Sequence, residues 1–220
     1  MGLFHLLKQV ALPKGLQLAL VHLNHKLRGA DSDEDELFVK ELALLHNLPI
    51  FCQEIDVAGE ANREGANLEA TARRLRYEFF QSLIRDGRLD KIATGHTAND
   101  QAETVLLRLL RGSGTEGLAG IYPNLEGKIV RPLLGIARQE ILEFLEEKCL
   151  PFRVDQSNFD RRFLRNRVRA DLLPKLEQEF NPQITKLLSE LAERSRDEED
   201  YLKRAAESWL KKSTTNTRGR

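Results

Sequence analysis

Short apolar runs alternate along this chain with longer segments of helical periodicity, and that alternation limits the folds open to it. Buried strands are predicted at residues 16–23, 49–55, 91–94 and 128–133. Apolar residues three and four apart predict helices at 31–46, 67–84, 99–111 and 138–148. Strands that alternate with helices in this way predict an α/β fold, a doubly wound parallel sheet with helices on both faces.

The composition argues against several classes of protein. The 220 residues include 34 basic and 34 acidic side chains, so the net charge is zero and any nucleic-acid site must be a local patch. The two cysteines, Cys52 and Cys149, lie far apart without a CxxC pair, which argues against a metal centre or a disulfide framework. No apolar stretch reaches the length of a membrane span and no secretion signal is evident, so we expect a cytoplasmic protein without membrane contact.

Polar residues cluster just after the predicted strand ends, where ligands of open α/β sheets bind. After the first strand, the sequence reads HLNHKLR over residues 22–28. His22 and Asn24 alternate, so they point the same way and can line a nucleotide pocket. The alternative is that His22 and His25 are satisfied surface histidines. A zinc site is not favoured, because no third ligand lies at a familiar spacing.

The segment GHTANDQAET, residues 95–104, ends a strand at its glycine and then starts a helix. Asp100 and Glu103 are three residues apart and share a helix face in the first turn. Two carboxylates so placed can hold a divalent cation and orient a cationic amine. The alternative is a pair of acids that favour the helix dipole. The neighbouring His96 and the position at a strand end favour the functional interpretation.

Two further segments offer basic side chains for phosphate. Arg73, in the helix 67–84, can contact a phosphate or carboxylate, or it can belong to an ordinary exposed basic face. The segment RLLRGSGTEGLAGI, residues 108–121, fails the dinucleotide-binding fingerprint because a helix rather than a strand precedes it. It predicts a loop whose backbone RNA can approach, with Arg108 and Arg111 as contacts.

The chain changes character at about residue 152. Residues 153–175 hold seven basic side chains against three acidic ones. Arg165, Arg167 and Arg169 lie at a predicted helix start and suit phosphate contact, although a salt-bridged helix entry is the alternative. A long helix with an apolar stripe is predicted from residue 182 to 209.

Together these segments resemble the tRNA(Ile)-lysidine synthetases of the N-type ATP pyrophosphatase, or PP-loop, superfamily. The resemblance runs from residue 1 to about 176 and is carried by HLNHKLRGADSDED, ATGHTANDQAETVLLRLLRGSGTEGLAGI and VDQSNFDRRFLRNRVRADLLPKL. It implies an adenine-nucleotide alpha-hydrolase-like sheet. It also implies a PP-loop-type catalytic domain at 1–150, an Arg-rich connector at 151–180 and a helical tail at 181–220.

The resemblance implies a two-step reaction on tRNA(Ile) with a CAU anticodon. ATP adenylates the C2 carbonyl oxygen of the first anticodon cytidine, and the ε-amine of free L-lysine then displaces AMP to give lysidine. ATP and Mg²⁺ are the implied cofactors, and a homodimer is one assembly that the resemblance allows. A thiolating member of the superfamily is an alternative, but it would require paired catalytic cysteines.

The resemblance also implies roles for single residues. Asp100 and Glu103 become contacts for Mg²⁺ and for the lysine amine. Arg73 serves ATP or the adenylated cytidine, and Arg165 serves the reaction centre or the RNA. The residues implied to line the ATP pocket are His22, Asn24, His96 and Arg73, and those implied to contact tRNA are Arg108, Arg111, Arg165, Arg167 and Arg169.

The chain departs from the family pattern at its start. The family carries a strand, a Ser-Gly-Gly-x-Asp-Ser loop that wraps the ATP phosphates, and then a helix. Residues 1–7, MGLFHLL, match that helix. We therefore expect this chain to lack the central first strand and to bind ATP poorly. A non-catalytic RNA-binding remnant is accordingly a further hypothesis from a different class.

Overall fold

A computed structural model describes residues 1–152, 161 and 163–216, with the side chains of 212 and 214–216 excepted. It confirms the predicted α/β class and the parallel pairing of the first two strands. The chain divides into two compact units, one of residues 4–92 and one of residues 1–3 together with those from 93 onward. In the described part of the chain, no helix is both long enough and apolar enough to cross a membrane.

The unit of residues 4–92 contains one two-stranded parallel sheet. Strand β1 (Leu20–Asn24) pairs with β2 (Ile50–Glu54) in a register that sets Leu20 opposite Ile50 and Asn24 opposite Glu54. Helix α1 (Gly2–Ala11) precedes β1, α2 (Ala30–Leu45) connects the strands, and α3 (Val57–Glu64) and α4 (Leu68–Arg85) follow. Asn67 caps α4, because its side chain accepts hydrogen bonds from the backbone N–H groups of Glu69 and Ala70.

A second, three-stranded sheet has the order β3-β5-β4. It comprises β3 (Ile92–Ala93), β4 (Asn124–Leu125) and β5 (Ile129–Val130). β4 and β5 form an antiparallel hairpin whose turn places Glu126 and Gly127 at positive φ. The predicted strands at 91–94 and 128–133 are therefore present but short, and the strands form two hydrogen-bonded sheets rather than one continuous sheet.

The remaining helices belong to the second unit. They are α5 (Ala98–Leu110), α6 (Thr115–Leu118), α7 (Arg138–Glu147), α8 (Leu164–Arg167), a π-helical turn (Val168–Leu172), α9 (Leu173–Glu179) and α10 (Ile184–Asn216). The apolar face of α5 packs against Val168, Leu173, Leu188 and Ala192 in one buried cluster. The predicted domain boundaries at 150 and 180 stay predictions.

The loop after α5 is fixed by the buried side chain of Gln101. Its amide nitrogen donates to the carbonyl of Ile121 at 3.2 Å, and its oxygen accepts from the backbone N–H of Ile121 at 2.7 Å. Gly120 has φ +62°, and a Cβ there would lie 2.7 Å from the Gln101 side chain. A larger residue would therefore be strained by backbone and contact alike. Glycine here lets the loop close on α5.

Candidate active site

Asp100 is positioned by the capping of helix α5. Thr97 and Asp100 form a capping box in which Asp100 Oδ2 accepts hydrogen bonds from the Thr97 backbone N–H at 2.9 Å and from Thr97 Oγ1 at 2.7 Å. One carboxylate oxygen is thus committed to the helix start. The other, Oδ1, is left facing away from the cap.

Glu103 lies one turn later and its side chain is fully buried. Arg165 Nε donates to Glu103 Oε2 at 2.8 Å, Arg169 Nε donates to Oε1 at 2.6 Å, and Arg169 Nη2 donates to Oε2 at 3.0 Å. A buried carboxylate is tolerated only when it is paired in this way, because burial removes its hydration. Glu103 is therefore the anchor of two arginines.

Asp100 Oδ1 shares the same arginines and approaches a third. Arg165 Nη2 lies 3.3 Å from it, Arg169 Nη2 lies 3.2 Å from it, and Arg138 Nη2 lies 3.5 Å from it. Arg138 Nη2 also lies 3.7 Å from Glu103 Oε1. We call these five side chains the acid–arginine cluster. The sequence analysis predicted a role for four of its members and missed Arg138.

The position of Arg138 at the start of α7 explains why it lies beside the acids of α5. Arg138 is the first residue of α7, and its backbone N–H donates to Asn99 Oδ1 at 2.8 Å. The backbone N–H of Ala98 in turn donates to the carbonyl of Ile136 at 2.9 Å. The starts of α5 and α7 are therefore tied together, and a basic residue at the first position of α7 is placed beside the acids of α5.

Arg165 and Arg169 reach the same carboxylates because they are four residues apart across the turn from α8 into the π-helical segment. Pro174 follows in the first turn of α9 and has no N–H to give to a preceding carbonyl. Single π-helical turns often occur at functional sites.

Arg167 is exposed and forms no ion pair within the described part of the chain.

The charges of the cluster do not balance. Three guanidinium groups face two carboxylates, so these five side chains carry a net charge of +1. Burial opposes ionisation of Asp100, but the hydrogen bonds from Thr97 and the charges of Arg165 and Arg138 hold its pKa below the usual value. Burial, and then the like charge of Arg169, lowers the pKa of Arg138.

The acids of the cluster, as placed, do not fit a magnesium ion. Both oxygens of Glu103 and Oδ2 of Asp100 accept hydrogen bonds, and Asp100 Oδ1 faces three guanidinium groups. A divalent cation prefers several free oxygen ligands. Among the described residues, no group of three or more His, Cys, Asp or Glu side chains could hold a metal ion. A bound Mg²⁺ would have to displace a guanidinium, so we derive no step through it at this position.

In the unit of residues 4–92, Asn24 organises the turn after β1. Asn24 is buried, and its amide nitrogen donates to Asp33 Oδ1 and to Glu36 Oε2, both at 2.9 Å. Its oxygen accepts from the backbone N–H of Lys26 at 3.0 Å, where Lys26 has φ +52°. Its polar atoms are thus used within this turn. The predicted contact of Asn24 with a nucleotide stays a prediction.

The two histidines beside Asn24 are held in the neutral form. Burial, followed by the positive charge of Arg76, lowers the pKa of His25 to about 4, and burial also lowers the pKa of His22. Arg76 Nη2 lies 3.0 Å from His25 Nε2, whereas the buried Nδ1 atom of His25 has no hydrogen-bond partner in the described part of the chain. The predicted contact of His22 with a nucleotide stays a prediction.

Arg73 differs from its neighbour on α4. Arg74 is paired with Glu64 at 2.7 Å and with Glu78 at 2.8 Å. The guanidinium of Arg73 instead lies over the ring of Tyr77, 4.9 Å from its centroid, and has no acidic partner in the part of the chain that the structure describes. This arrangement leaves the charge of Arg73 exposed for an anionic ligand.

The other predicted contacts have mixed surroundings. Arg108 Nη1 donates to the carbonyls of Gly117 at 2.6 Å and Gly120 at 3.0 Å, so part of its guanidinium holds the glycine-rich loop. Arg111, at the C-cap of α5, is exposed. His96 is half-buried, and its Nδ1 atom lies 2.9 Å from Thr94 Oγ1. Their predicted contacts with ATP and tRNA stay predictions.

The sequence and the fold have counterparts among known proteins. Residues 1–176 match the family model of the PP-loop domain, and the chain belongs to that family. It is 46% identical over 187 residues to the tRNA(Ile)-lysidine synthase of Solibacter usitatus (strain Ellin6076), a match that covers 85% of this chain and 41% of the relative. It is 45% identical over 198 residues to that of Geobacter sulfurreducens, covering 90% and 42%. The chain thus spans about two fifths of the length of these curated relatives, and the predicted resemblance is confirmed.

A solved structure supports the fold. The U34-tRNA thiolase NcsA from Methanococcus maripaludis superposes with a TM-score of 0.69 over 88% of this chain and 66% of that chain. The sequence identity is 18%, so the likeness bears on the fold alone. It agrees with the predicted adenine-nucleotide alpha-hydrolase-like architecture.

Proposed function

We propose that this chain is part of an enzyme that joins L-lysine to C2 of the first anticodon cytidine of tRNA(Ile), with ATP converted to AMP and pyrophosphate. The supporting observation is the acid–arginine cluster. Arg165 lies 62 residues from Glu103 in the sequence, yet the two side chains meet in one buried ion network. Both belong to segments that resemble the lysidine synthetases, and two curated members are 46% and 45% identical to this chain.

The geometry supports separate roles within the cluster. Glu103 orients Arg165 and Arg169, which can then stabilise negative charge on a phosphate during adenylation and departure of AMP. Asp100 Oδ1 is the most weakly bonded carboxylate oxygen, with its guanidinium neighbours at 3.2–3.5 Å. We assign it the ε-amine of lysine, which must be held near an anion before it attacks.

The remaining site residues complete this proposal. Arg73 contacts the phosphates of ATP or the adenylated cytidine, and His22, Asn24 and His96 are further contacts of the ATP. Mg²⁺ accompanies ATP as a counter-ion of its phosphates instead of displacing the arginines from Asp100 and Glu103. The tRNA contacts are Arg108, Arg111, Arg165, Arg167 and Arg169, and the place of the reaction is the cytoplasm.

We also propose that two copies associate through α10. Leu202 and Trp209 are 59% and 67% exposed and, seven residues apart, share one helix face. Four acids at 197–200 precede this face and Lys211 follows it. An antiparallel second copy would set the acids of one helix against Lys211 of the other. Sedimentation velocity should show that the parent protein is a dimer and that Leu202→Lys dissociates it. Ser208→Lys, which lies off this helix face, is the control and should leave the dimer intact. A monomeric parent protein would contradict the proposal.

Two alternatives remain distinguishable. Thiolation is not favoured, because Cys149 and Cys52 are both unpaired and burial raises the pKa of Cys52, which makes it a weaker nucleophile at neutral pH. RNA binding without catalysis is favoured by the exposed Arg167. Calorimetric titration with ATP separates this second function from the first.

The decisive assay is incorporation of radiolabelled lysine into a tRNA(Ile) transcript with a CAU anticodon. The chain is tested alone and with an N-terminal Ser-Gly-Gly-x-Asp-Ser extension, and a transcript with uridine in place of the target cytidine is the control. We expect ATP-dependent incorporation only into the cytidine transcript, and Asp100→Asn should abolish it while tRNA binding persists. Failure of both versions, or equal labelling of the control transcript, would contradict the proposed function.

A further inference from the structure

The acid–arginine cluster has more positive than negative charge, and one of its arginines is placed differently from the others. We propose that the cluster is a phosphate-binding site in which Arg138 makes the direct contact with the phosphate. Arg165 and Arg169 are oriented by Glu103 through hydrogen bonds of 2.6–3.0 Å. Arg138 approaches the same carboxylates only at 3.5 and 3.7 Å, beyond the length of a good hydrogen bond.

The surroundings of Arg138 leave its guanidinium accessible while they fix its backbone. Its side chain is 37% exposed, compared with 22% for Arg165 and 20% for Arg169. Its backbone N–H is held by Asn99 Oδ1 at 2.8 Å at the start of α7. Among the residues that the structure describes, none accepts a hydrogen bond from the Arg138 guanidinium, although such a group has five N–H donors. A ligand can therefore reach donors that protein atoms do not use.

Electrostatics selects an anion for this position. The five side chains sum to +1, and two helix N-termini, those of α5 and α7, lie beside them with their positive dipole ends. Burial, and then the like charge of Arg169, lowers the pKa of Arg138. An added negative charge would relieve this repulsion.

A phosphate ligand can accept the N–H donors of Arg138 better than Asp100 or Glu103 can, because their carboxylates already accept hydrogen bonds from other groups. A guanidinium can donate two parallel N–H bonds to one phosphate, which a lysine cannot do. The phosphate can come from a nucleotide or pyrophosphate, or from the backbone of an RNA. The choice between these sources rests on the proposed function. The inference that the site binds phosphate rests on its charge and geometry alone.

The test compares three variants of the whole chain. Arg138→Gln removes the charge, Arg138→Lys keeps the charge without the fork, and Arg194→Gln is the control, because Arg194 is 76% exposed and lies 3.8 Å from Glu190. Thermal melts are expected to remain unchanged, since Arg138 makes no short hydrogen bond through its side chain. Inorganic pyrophosphate and ATP are titrated by calorimetry, and tRNA binding is measured over a series of salt concentrations.

For a nucleotide source, Arg138→Gln should weaken pyrophosphate and ATP binding by about tenfold, the usual effect of losing a charge-assisted contact. For an RNA source, it should reduce the salt slope of tRNA binding by about one unit, for cognate and non-cognate tRNA alike. Arg138→Lys should recover part of either effect.

The site is refuted if Arg138→Gln behaves like Arg194→Gln in both arms, or if the parent chain binds none of the three probes. Lysine incorporation is measured separately. A chain that fails to incorporate lysine but shows Arg138-dependent binding of phosphate would refute the proposed function and leave the phosphate site standing.

Discussion

Replacing Glu103 with glutamine tests whether the acid–arginine cluster exists as described. The change preserves shape but removes one of two negative charges, so the cluster charge rises from +1 to +2. It also turns an amide N–H₂ toward guanidinium donors that now receive a carboxylate oxygen. Glu103 accepts three hydrogen bonds, at 2.6, 2.8 and 3.0 Å, and none of its side chain is exposed.

The loss of stability depends on how deeply Glu103 and its partners Arg165 and Arg169 are buried. Removal of one partner from a fully buried ion pair costs about 3–5 kcal/mol. Arg165 and Arg169 keep about a fifth of their side-chain surface in solvent, so water recovers part of this loss. We expect the free energy of unfolding to fall by about 2–4 kcal/mol. For a chain of this length, each kcal/mol lowers the melting temperature by roughly 2–4 °C, so a decrease of about 10 °C is expected.

Urea denaturation followed by circular dichroism measures the effect, and Glu190→Gln is the matched control. Glu190 is 39% exposed and its partners, Lys186 and Arg194, lie 4.0 and 3.8 Å away. Its replacement should change stability by less than about 0.5 kcal/mol. If Glu103→Gln were as harmless as this control, the carboxylate would not be buried between the two arginines and the reasoning about the cluster would be wrong.

Three further outcomes are expected from single substitutions. Arg73→Ala should weaken ATP binding by about tenfold in calorimetry. Arg74→Ala, which loses only its ion pairs with Glu64 and Glu78, should not weaken it. Equal effects of the two substitutions would contradict the role of Arg73. Arg167→Ala should lower the salt slope of tRNA binding by about one unit, and an unchanged slope matching the exposed control Arg85→Ala would refute phosphate contact. The free energy of unfolding should decrease as the pH falls from 6.5 toward 4, because His25 binds a proton in the unfolded chain at a higher pH than in the folded chain. The urea midpoint of the parent chain should therefore decrease over this pH range, and an equal decrease in His25→Gln would contradict the prediction.

Local pattern was enough to predict several elements of the fold and part of the site. The strands β1 and β2 follow from short apolar runs bounded by turn residues, and the first strand begins within four residues of the predicted position and ends at Asn24. The pairing of Asp100 and Glu103 follows from their separation by three residues at a helix start. These features depend on neighbours in sequence, which is why periodicity and capping signals detect them.

The partners of the acids could not be obtained in the same way. Arg165 and Arg169 meet Glu103 across 62 and 66 residues, and spacing within one segment gives no information about such contacts. Arg138 was missed for the same reason. For Asn24, alternation along the strand could not show that Asp33 and Glu36 accept the hydrogen bonds of its amide group.

The geometry of the acid–arginine cluster depends on the apolar core beside it. On α5, Ala102 and Val105 are fully buried next to Asp100 and Glu103, and they belong to the same apolar cluster as Val168, which lies between Arg165 and Arg169. The two helical segments thus meet through adjacent apolar and polar stripes, and close packing in the apolar stripe sets the distance between the charged groups. A change of a few tenths of an ångström there would lengthen hydrogen bonds of 2.6–3.0 Å to Glu103. Packing residues that touch no ligand should therefore affect the chemistry of this site, because the core fixes the positions of the helical segments that carry Arg165 and Arg169.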